Sequence, residues 1–437
     1  MERTKPKATP VTDDDIASVI ALIDQHEPEL VAFLRDFLRI PSVWGDGPAL
    51  TAAAEYLAAP LADAGLTVAL PGSGTGGMPN VLARAGSGTG DADDALIFNG
   101  HMEVYPPSRS WRRDPFGGEI DEGRIYGVGV ADMKAGTAAM TMAAAMLARS
   151  GVALPRDVVV LAVPNHFEGG EGTRQALRDG LRGAYAINCE PSDLRVLTGQ
   201  RGIAYVNVDV RGRAAHTTAL DVGVNAVARA ADVVREVLAM PITAAGGRVL
   251  DEVKICNVAQ ISGGVAHNLV PELCGITFDF RFPPGQTQDD VLRDVRAAVE
   301  RALDLLPEFP VDVALEATCL KNPRSSLRVP DGEGLLADVA AAHRRSTGGA
   351  AAYDVHRAWP DTPIFWESGI RAVTYGPGSM DCYWDDESVV VEDYLAAVRT
   401  YAVAALTLGS ADAGSAAAGS AIAGSAGAGS LGGGADD

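Results

Sequence analysis

Apolar positions in this chain keep one spacing near its start, another through its first half and a third in its middle, and each spacing predicts a different element. Ile16, Val19, Ile20, Ile23, Leu30, Leu34 and Leu38 recur near helical spacing over residues 14–38, behind an acidic first turn and with Pro28 as a candidate break. Residues 48–64 read likewise. Short apolar runs at 66–70, 80–85, 95–99, 158–163 and 185–187 then predict strands, alternating with helical stretches such as 137–149. That alternation predicts an α/β fold, a mixed sheet flanked by helices. From Gly202 the style changes: Ala204-Tyr205-Val206-Asn207-Val208-Asp209-Val210 alternates apolar and polar, as a strand with one wet face does. A helix at 225–239, alternating segments at 253–261 and 275–281, and a helix at 287–305 complete a strand–helix–strand–strand–helix–strand order, that of a small inserted α+β ferredoxin-like domain.

The domain expectation is therefore one larger unit, 14–201 and 316–408, interrupted by a second at 202–315, with 1–13 and 409–437 disordered. The last stretch repeats Gly-Ser every five residues from Gly409 among alanines and glycines, with no apolar stripe. A length of 437 residues agrees with more than one core, and 47% apolar residues are ample to fill them. The balance of 36 basic against 57 acidic residues, a formal charge of -21, argues against nucleic acid and anionic membranes as partners. The start is polar, no apolar run is long enough to span a bilayer, and Cys189, Cys256, Cys274, Cys319 and Cys382 show no close pairing pattern. The expectation is a cytoplasmic protein.

Candidate chemistry gathers in two segments. The first reads Phe98-Asn99-Gly100-His101-Met102-Glu103-Val104-Tyr105-Pro106-Pro107, then Trp111, Asp114-Pro115-Phe116 and Gly127-Val128-Gly129-Val130-Ala131-Asp132-Met133-Lys134. His101 falls just past a buried strand, where open α/β sheets place their ligands, and Asp132 lies in a Gly-rich turn ahead of a helix. An imidazole and a carboxylate on two such turns can share a divalent metal; either alone is equally a hydrogen-bonded turn residue. The second segment is Asn165-His166-Phe167-Glu168-Gly169-Gly170-Glu171-Gly172-Thr173.

Taken in order, these blocks resemble the M20 family of zinc metallopeptidases and aminoacylases. Further blocks fit: Glu190-Pro191-Ser192, Arg201-Gly202, His216-Thr217-Thr218, Gly223-Val224-Asn225-Ala226, Asn268, Asp279-Phe280-Arg281, Asp361-Thr362 and Gly376-Pro377-Gly378, so that the likeness spans roughly residues 15–405. The resemblance implies a zinc-exopeptidase-like catalytic domain with an inserted lid or dimerisation domain, and hence a homodimer formed through the insertion. It implies two zinc ions bridged at Asp132, the first also held by His101 and Glu190. The second ion's ligands would be a glutamate and a histidine, and here Phe167 and Tyr383 stand in their places. His166 replaces the general base. Glu103 stands where the family has an aspartate that steadies the ligand histidine, and is one methylene longer. His216, Asn268 and Arg281 match positions that contact substrate from the inserted domain, the last two through a carboxylate.

Keeping all the ligands of one ion while losing both private ligands of the other predicts a mononuclear site. The metal ligands are then His101, Asp132 and Glu190 around one zinc or other divalent ion, with a metal-free site as the alternative. His166 is a candidate base or a fourth ligand; Glu168 is a second candidate base if the strand before it continues that far. Tyr383 and His216 complete the catalytic candidates, and Glu103, Asn268 and Arg281 the substrate contacts. Three functions stay open at this point: an amide hydrolase acting on an N-acyl amino acid or small peptide, a nonhydrolytic enzyme using the same pocket for acyl transfer or cyclisation, and a noncatalytic pseudo-peptidase. In each case the partner expected is a small molecule bearing a carboxylate.

Overall fold

Thr12 opens the first helix, Asp13–Gln25: its hydroxyl accepts the Asp15 N–H while the Asp15 carboxylate accepts from Thr12. The helical pattern expected over 14–38 is in fact two helices. The break falls at His26, and Pro28 sits in the first turn of the second, Glu27–Leu38, where its missing N–H costs nothing. The computed structural model of the protein describes residues 11–72, 77–86, 91–303, 310–379 and 386–409. Cys382, Tyr383 and nearly all of the two ends expected to be disordered lie outside them.

In chain order, β1 (Thr67–Ala69), β2 (Val81–Ala85) and β3 (Leu96–His101) come first, followed by β4 (Ile120–Asp121), β5 (Arg124–Tyr126), β6 (Val158–Val163), β7 (Tyr185–Asn188) and β8 (Val196–Gln200). Then come β9 (Gly202–Arg211), β10 (Ile255–Gly263), β11 (Leu273–Phe282) and β12 (Val311–Leu315), and finally β13 (Leu327–Arg328), β14 (Tyr353–His356), β15 (Arg371–Thr374) and β16 (Ser388–Val390). The large sheet runs β1-β2-β6-β3-β7-β15-β8-β13, with β14 beside β8. Its middle, β6-β3-β7-β15, is parallel, and its margins carry antiparallel pairs. This is the expected mixed sheet.

Strands β3 and β6 are buried at every residue, which is why they read as unbroken apolar runs rather than alternating ones. Phe98, Val158 and Val160 face a core shared with Met140 and Tyr401 from the helices Ala135–Ser150 and Val391–Thr407. Ile97, Val159 and Leu161 face the other way, onto Ala176 and Phe365 of the helices Glu171–Arg178 and Thr362–Glu367. Helices thus cover both faces and leave the strand ends for function.

The second sheet, β10-β11-β9-β12, is antiparallel throughout. Ala204, Val206, Val208 and Val210 point from β9 onto Val233 and Val237 of the helix Ala226–Ala239 and Val295 and Val299 of the helix Gln288–Leu303, forming a separate core. The opposite face is wet, as the alternation requires. A third small sheet, β16-β5-β4, sits beside the Asp132 turn. Among the described residues no helix is long and apolar enough to cross a membrane.

Candidate metal centre

Three adjacent parallel strands end side by side, and each delivers a polar residue at its carboxyl end. His101 is the last residue of β3, His166 follows β6 by three residues and Glu190 follows β7 by two. Asp132 reaches the same point from the turn ahead of the helix Ala135–Ser150. Main chain sets this convergence: a Cβ on Gly136 would lie 1.9 Å from the Cys189 carbonyl oxygen, so only glycine lets the helix start seat against the end of β7. The carboxylate of Glu387 holds the turn itself, accepting the N–H groups of Gly129, Ala131 and Asp132 at 2.8, 2.6 and 3.2 Å. Burial nevertheless pushes Glu387 up to about 8, against those bonds.

His101 Nε2 lies 2.9 Å from Asp132 Oδ1 and 3.5 Å from Glu190 Oε1, while His166 Nε2 is 3.6 Å from the same Glu190 oxygen. The two imidazoles stack with centroids 4.6 Å apart. Each has its other nitrogen occupied. His101 Nδ1 faces the Glu103 carbonyl oxygen at 2.9 Å, and His166 Nδ1 faces Asp361 Oδ1 at 2.8 Å. A carbonyl oxygen only accepts, so His101 carries its hydrogen on Nδ1. Its Nε2 and the Asp132 oxygen are then two acceptors at contact distance, an arrangement that calls for a proton or a metal cation between them.

The electrostatics report the same shortage of positive charge. Burial opposes the charged form of His101, yet the carboxylates of Glu190 and Asp132 overcome it and raise the imidazole to about 10. Burial and the charge of Asp132 lift Glu190 well above the ordinary carboxylate range; Asp132 itself, against its burial, is drawn down to about 2 by the His101 hydrogen bond. His101, His166 and Glu190 offer ligand atoms that all lie within 4.8 Å of one another, so the donor set fits a divalent ion.

Asp361 was not among the site residues the sequence pointed to. It is 1% exposed, accepts the Thr173 hydroxyl at 2.5 Å on its other oxygen, and stays below the usual carboxylate range because the charge and hydrogen bond of His166 outweigh its burial. Thr173 in turn accepts from Asn99 Nδ2, and Asn99 Oδ1 accepts from Asn188 Nδ2, so a hydrogen-bonded polar chain runs beneath the site from β7 through β3 to the helix Glu171–Arg178.

The other candidates are placed as follows. Phe167 lies beside His101 at 5.2 Å between ring centroids, stacks on Tyr105 at 4.0 Å and meets Trp44 edge-on at 6.4 Å. The contact expected between the Glu103 side chain and His101 is replaced: the main-chain oxygen makes that bond, and the longer side chain runs on to accept the Phe167 N–H at 3.2 Å. Strand β6 ends at Val163, so the alternation that would have aimed Glu168 with His166 does not reach it; Glu168 sits in a turn, its carbonyl bonded by Asn322. Burial pushes the Cys189 thiol up to about 12, the state of an inert core residue. His216 and Asn268 occupy an exposed corner of the second sheet's lobe, where His216 bridges Leu269, and no hydrogen bond joins them to the cluster among the described residues. Arg281 makes paired bonds, 2.9 and 3.0 Å, to its neighbour Asp279. Tyr383 lies outside the described residues.

Arg324 is the second residue that the sequence did not single out. It is only 4% exposed, donates to the Phe167 carbonyl at 2.6 Å and lies over the Tyr205 ring at 5.3 Å, with no carboxylate partner among the described residues. The guanidinium thus sits buried between the cluster and the second sheet, with a main-chain carbonyl as its hydrogen-bond partner.

The chain is similar to several known proteins. Residues 97–407 match the profile of peptidase family M20/M25/M40. The chain is 31% identical over 288 residues to succinyl-diaminopimelate desuccinylase of Methylocella silvestris, covering 62% of this chain and 72% of the relative. It is 26% identical over 329 residues to carboxypeptidase G2 of a Pseudomonas species, covering 74% and 75%. Among solved structures, human carnosine dipeptidase 1 superposes with a TM-score of 0.71 at 16% identity over 91% of this chain and 99% of that one. A dinuclear metal-binding M20 peptidase of Bacillus subtilis does so at 0.64 and 13%, over 88% and 98%.

Proposed function

The chain belongs to peptidase family M20/M25/M40, and from that premise we propose that it hydrolyses the amide bond of an N-acyl amino acid or small peptide with one divalent metal ion rather than two. One observation carries the reading: His101, His166 and Glu190 bring ligand atoms within 4.8 Å of one another, with Asp132 Oδ1 2.9 Å from His101 Nε2, while Phe167, at the sequence position of a second-ion ligand, lies beside His101 and offers no ligand atom. A metal held there supplies Lewis-acid polarisation of the scissile carbonyl. The protein's own residues do the rest. Trp359 packs on His166 at 5.7 Å, and the Trp44, Tyr105 and Phe167 rings form an aromatic wall on the other side.

Arg324 supports a substrate carboxylate, with Arg281 held nearby by Asp279. The fit to a desuccinylase and a carboxypeptidase agrees with an acylated, carboxylate-bearing substrate. Homodimerisation through the lobe of residues 202–315 is part of the same proposal: β10 is an edge strand there, and Leu220, Ile261 and Val265 are exposed. So is a reducing, cytoplasmic setting, which the unpaired Cys189, Cys256, Cys274 and Cys319 support. The histidine at position 166 favours a second reading, a nonhydrolytic acyl transfer or cyclisation in the same pocket.

Metal content of the purified protein, turnover on a panel of N-acyl amino acids, and release of free amino acid test the proposal. One ion per chain, loss of turnover with chelator and a free amino acid as product support it. Turnover of the panel without release of free amino acid favours the second reading, and chelator-insensitive turnover overturns the metal-dependent one.

A further inference from the structure

A single-metal site that has lost a neighbouring ion must still fill its own coordination sphere, and the structure offers four donors for what a catalytic site usually fills with three. The two imidazoles are equivalent in one respect. Each has Nδ1 fixed by an acceptor, the Glu103 carbonyl for His101 and the Asp361 carboxylate for His166, and each directs Nε2 toward Glu190, at 3.5 and 3.6 Å. Ligand histidines are held in just this way, with the outer nitrogen donated to a carbonyl or carboxylate that fixes ring and tautomer. A buried partner carboxylate, here itself locked by the Thr173 hydroxyl at 2.5 Å, orients histidine ligands and histidine bases alike, so it is the shared aim at Glu190 that marks His166 as a ligand.

Asp132 differs from the other three in its surroundings: of the four it alone lines an open cleft, with Tyr105, Pro107, Trp111, Val128 and Glu387. Ligand distances sharpen the contrast. In a tetrahedral site with bonds near 2.0–2.1 Å, ligand atoms stand about 3.3–3.4 Å apart, which the two imidazole-to-Glu190 spacings approach, at 3.5 and 3.6 Å.

Resting on the single-metal reading above, we propose that His101, His166 and Glu190 form a two-imidazole, one-carboxylate metal site, that Asp361 is the positioning residue of the second imidazole, and that Asp132, no longer needed as a bridge, faces the cleft as a hydrogen-bond acceptor beside the open coordination position. The residue at the family's general-base position has become a ligand, and the carboxylate at its bridging position has taken over the side facing substrate.

Copper(II) and cobalt(II), loaded at one equivalent on the full chain, read this directly. Nitrogen hyperfine structure in the copper EPR spectrum is expected to report two imidazoles in the parent and one in His166→Ala. Asp361→Asn is expected to weaken cobalt affinity about 10–100-fold at unchanged stoichiometry. Asp132→Asn is expected to keep the bound ion and the two-imidazole spectrum while losing turnover. A parent spectrum with one imidazole overturns the proposal and leaves the single-metal hydrolase standing, and it decides the matter even if His166→Ala does not fold. Unchanged cobalt affinity in Asp361→Asn removes the positioning role, and loss of metal in Asp132→Asn restores Asp132 as a ligand. A parent that binds neither ion sinks the single-metal reading as well.

Discussion

The two flanks of the His101 ring have opposite characters. On one, hydrogen bonds run inward from His166 to Asp361, from Asp361 to Thr173 and from Thr173 to Asn99, and Glu190 lies 3.5 and 3.6 Å from the two imidazoles. On the other, Phe167, Tyr105 and Trp44 pack ring to ring. The difference shows what a buried cation requires. Carboxylates and imidazoles can be kept under a sheet's edge only if a chain of partners fixes them, and that chain exists on one flank only. An aromatic cluster contributes area and shape, and its presence turns the site asymmetric.

Removing a donor from the polar flank should have the largest effect. His101→Ala is expected to lower zinc affinity by more than about 100-fold and to abolish turnover, as metal analysis after dialysis and product assay will show; retained metal would mean that the flank does not hold an ion. Next comes the anion partner. Arg324→Met is expected to raise KM about 10–100-fold for a carboxylate-bearing substrate, the worth of a charged hydrogen bond. An amide-capped analogue should show no such change, and equal losses on both would remove the counter-ion role.

Phe167→Ala tests the aromatic flank alone. It should cost about 2 kcal/mol in urea unfolding, below a full core truncation because the ring is half-buried, and metal stoichiometry should not move. A change in bound metal would show that the flanks are coupled. The last effect is read as a slope with pH and concerns a buried charge two residues along from Asp132. Lys134 is fully buried, donates to the Phe37 and Ile40 carbonyls, and is pulled down to about 7 by burial. Its folded value lies below its unfolded one, so the unfolded chain binds the extra proton between about 7 and 10 and stability rises with pH there, by up to about 1.4 kcal/mol per pH unit. Lys134→Met should remove that slope, measured as unfolding free energy against pH.

Much of this was legible in the sequence because the signals were local. The apolar runs at 95–99 and 158–163 marked two strands buried on both faces, and His101, Asp132 and His166 follow strands or precede a helix at short, readable distances. The alternation through Ala204–Val210 marked the one-sided second sheet in the same way. What escaped was nonlocal. Asp361 meets His166 across 195 residues, and Arg324 sits in a polar stretch, Lys321 to Ser326, with no periodicity to flag it. The Asp361-Thr362 block was visible as a family mark, but its partner was not. Strands β8, β13, β14 and β15 are short, between two and five residues, and gave too little pattern to be separated from loops. The Glu103 contact was misplaced because spacing in sequence identifies a residue without saying whether its side chain or its backbone makes the bond.

The bare backbone at Gly136 has a last implication. The start of the helix rests on a carbonyl of the strand end with no side chain between them, so main chain sets their approach, and the Glu387 carboxylate holds the Asp132 turn in place beside it. Donor identities along the rim can therefore be exchanged, glutamate for histidine or carboxylate for phenyl, without re-spacing those that remain. A fold jointed in this manner behaves as a socket of constant gauge, and substitutions at its rim change which ion or group it takes rather than whether it holds its shape.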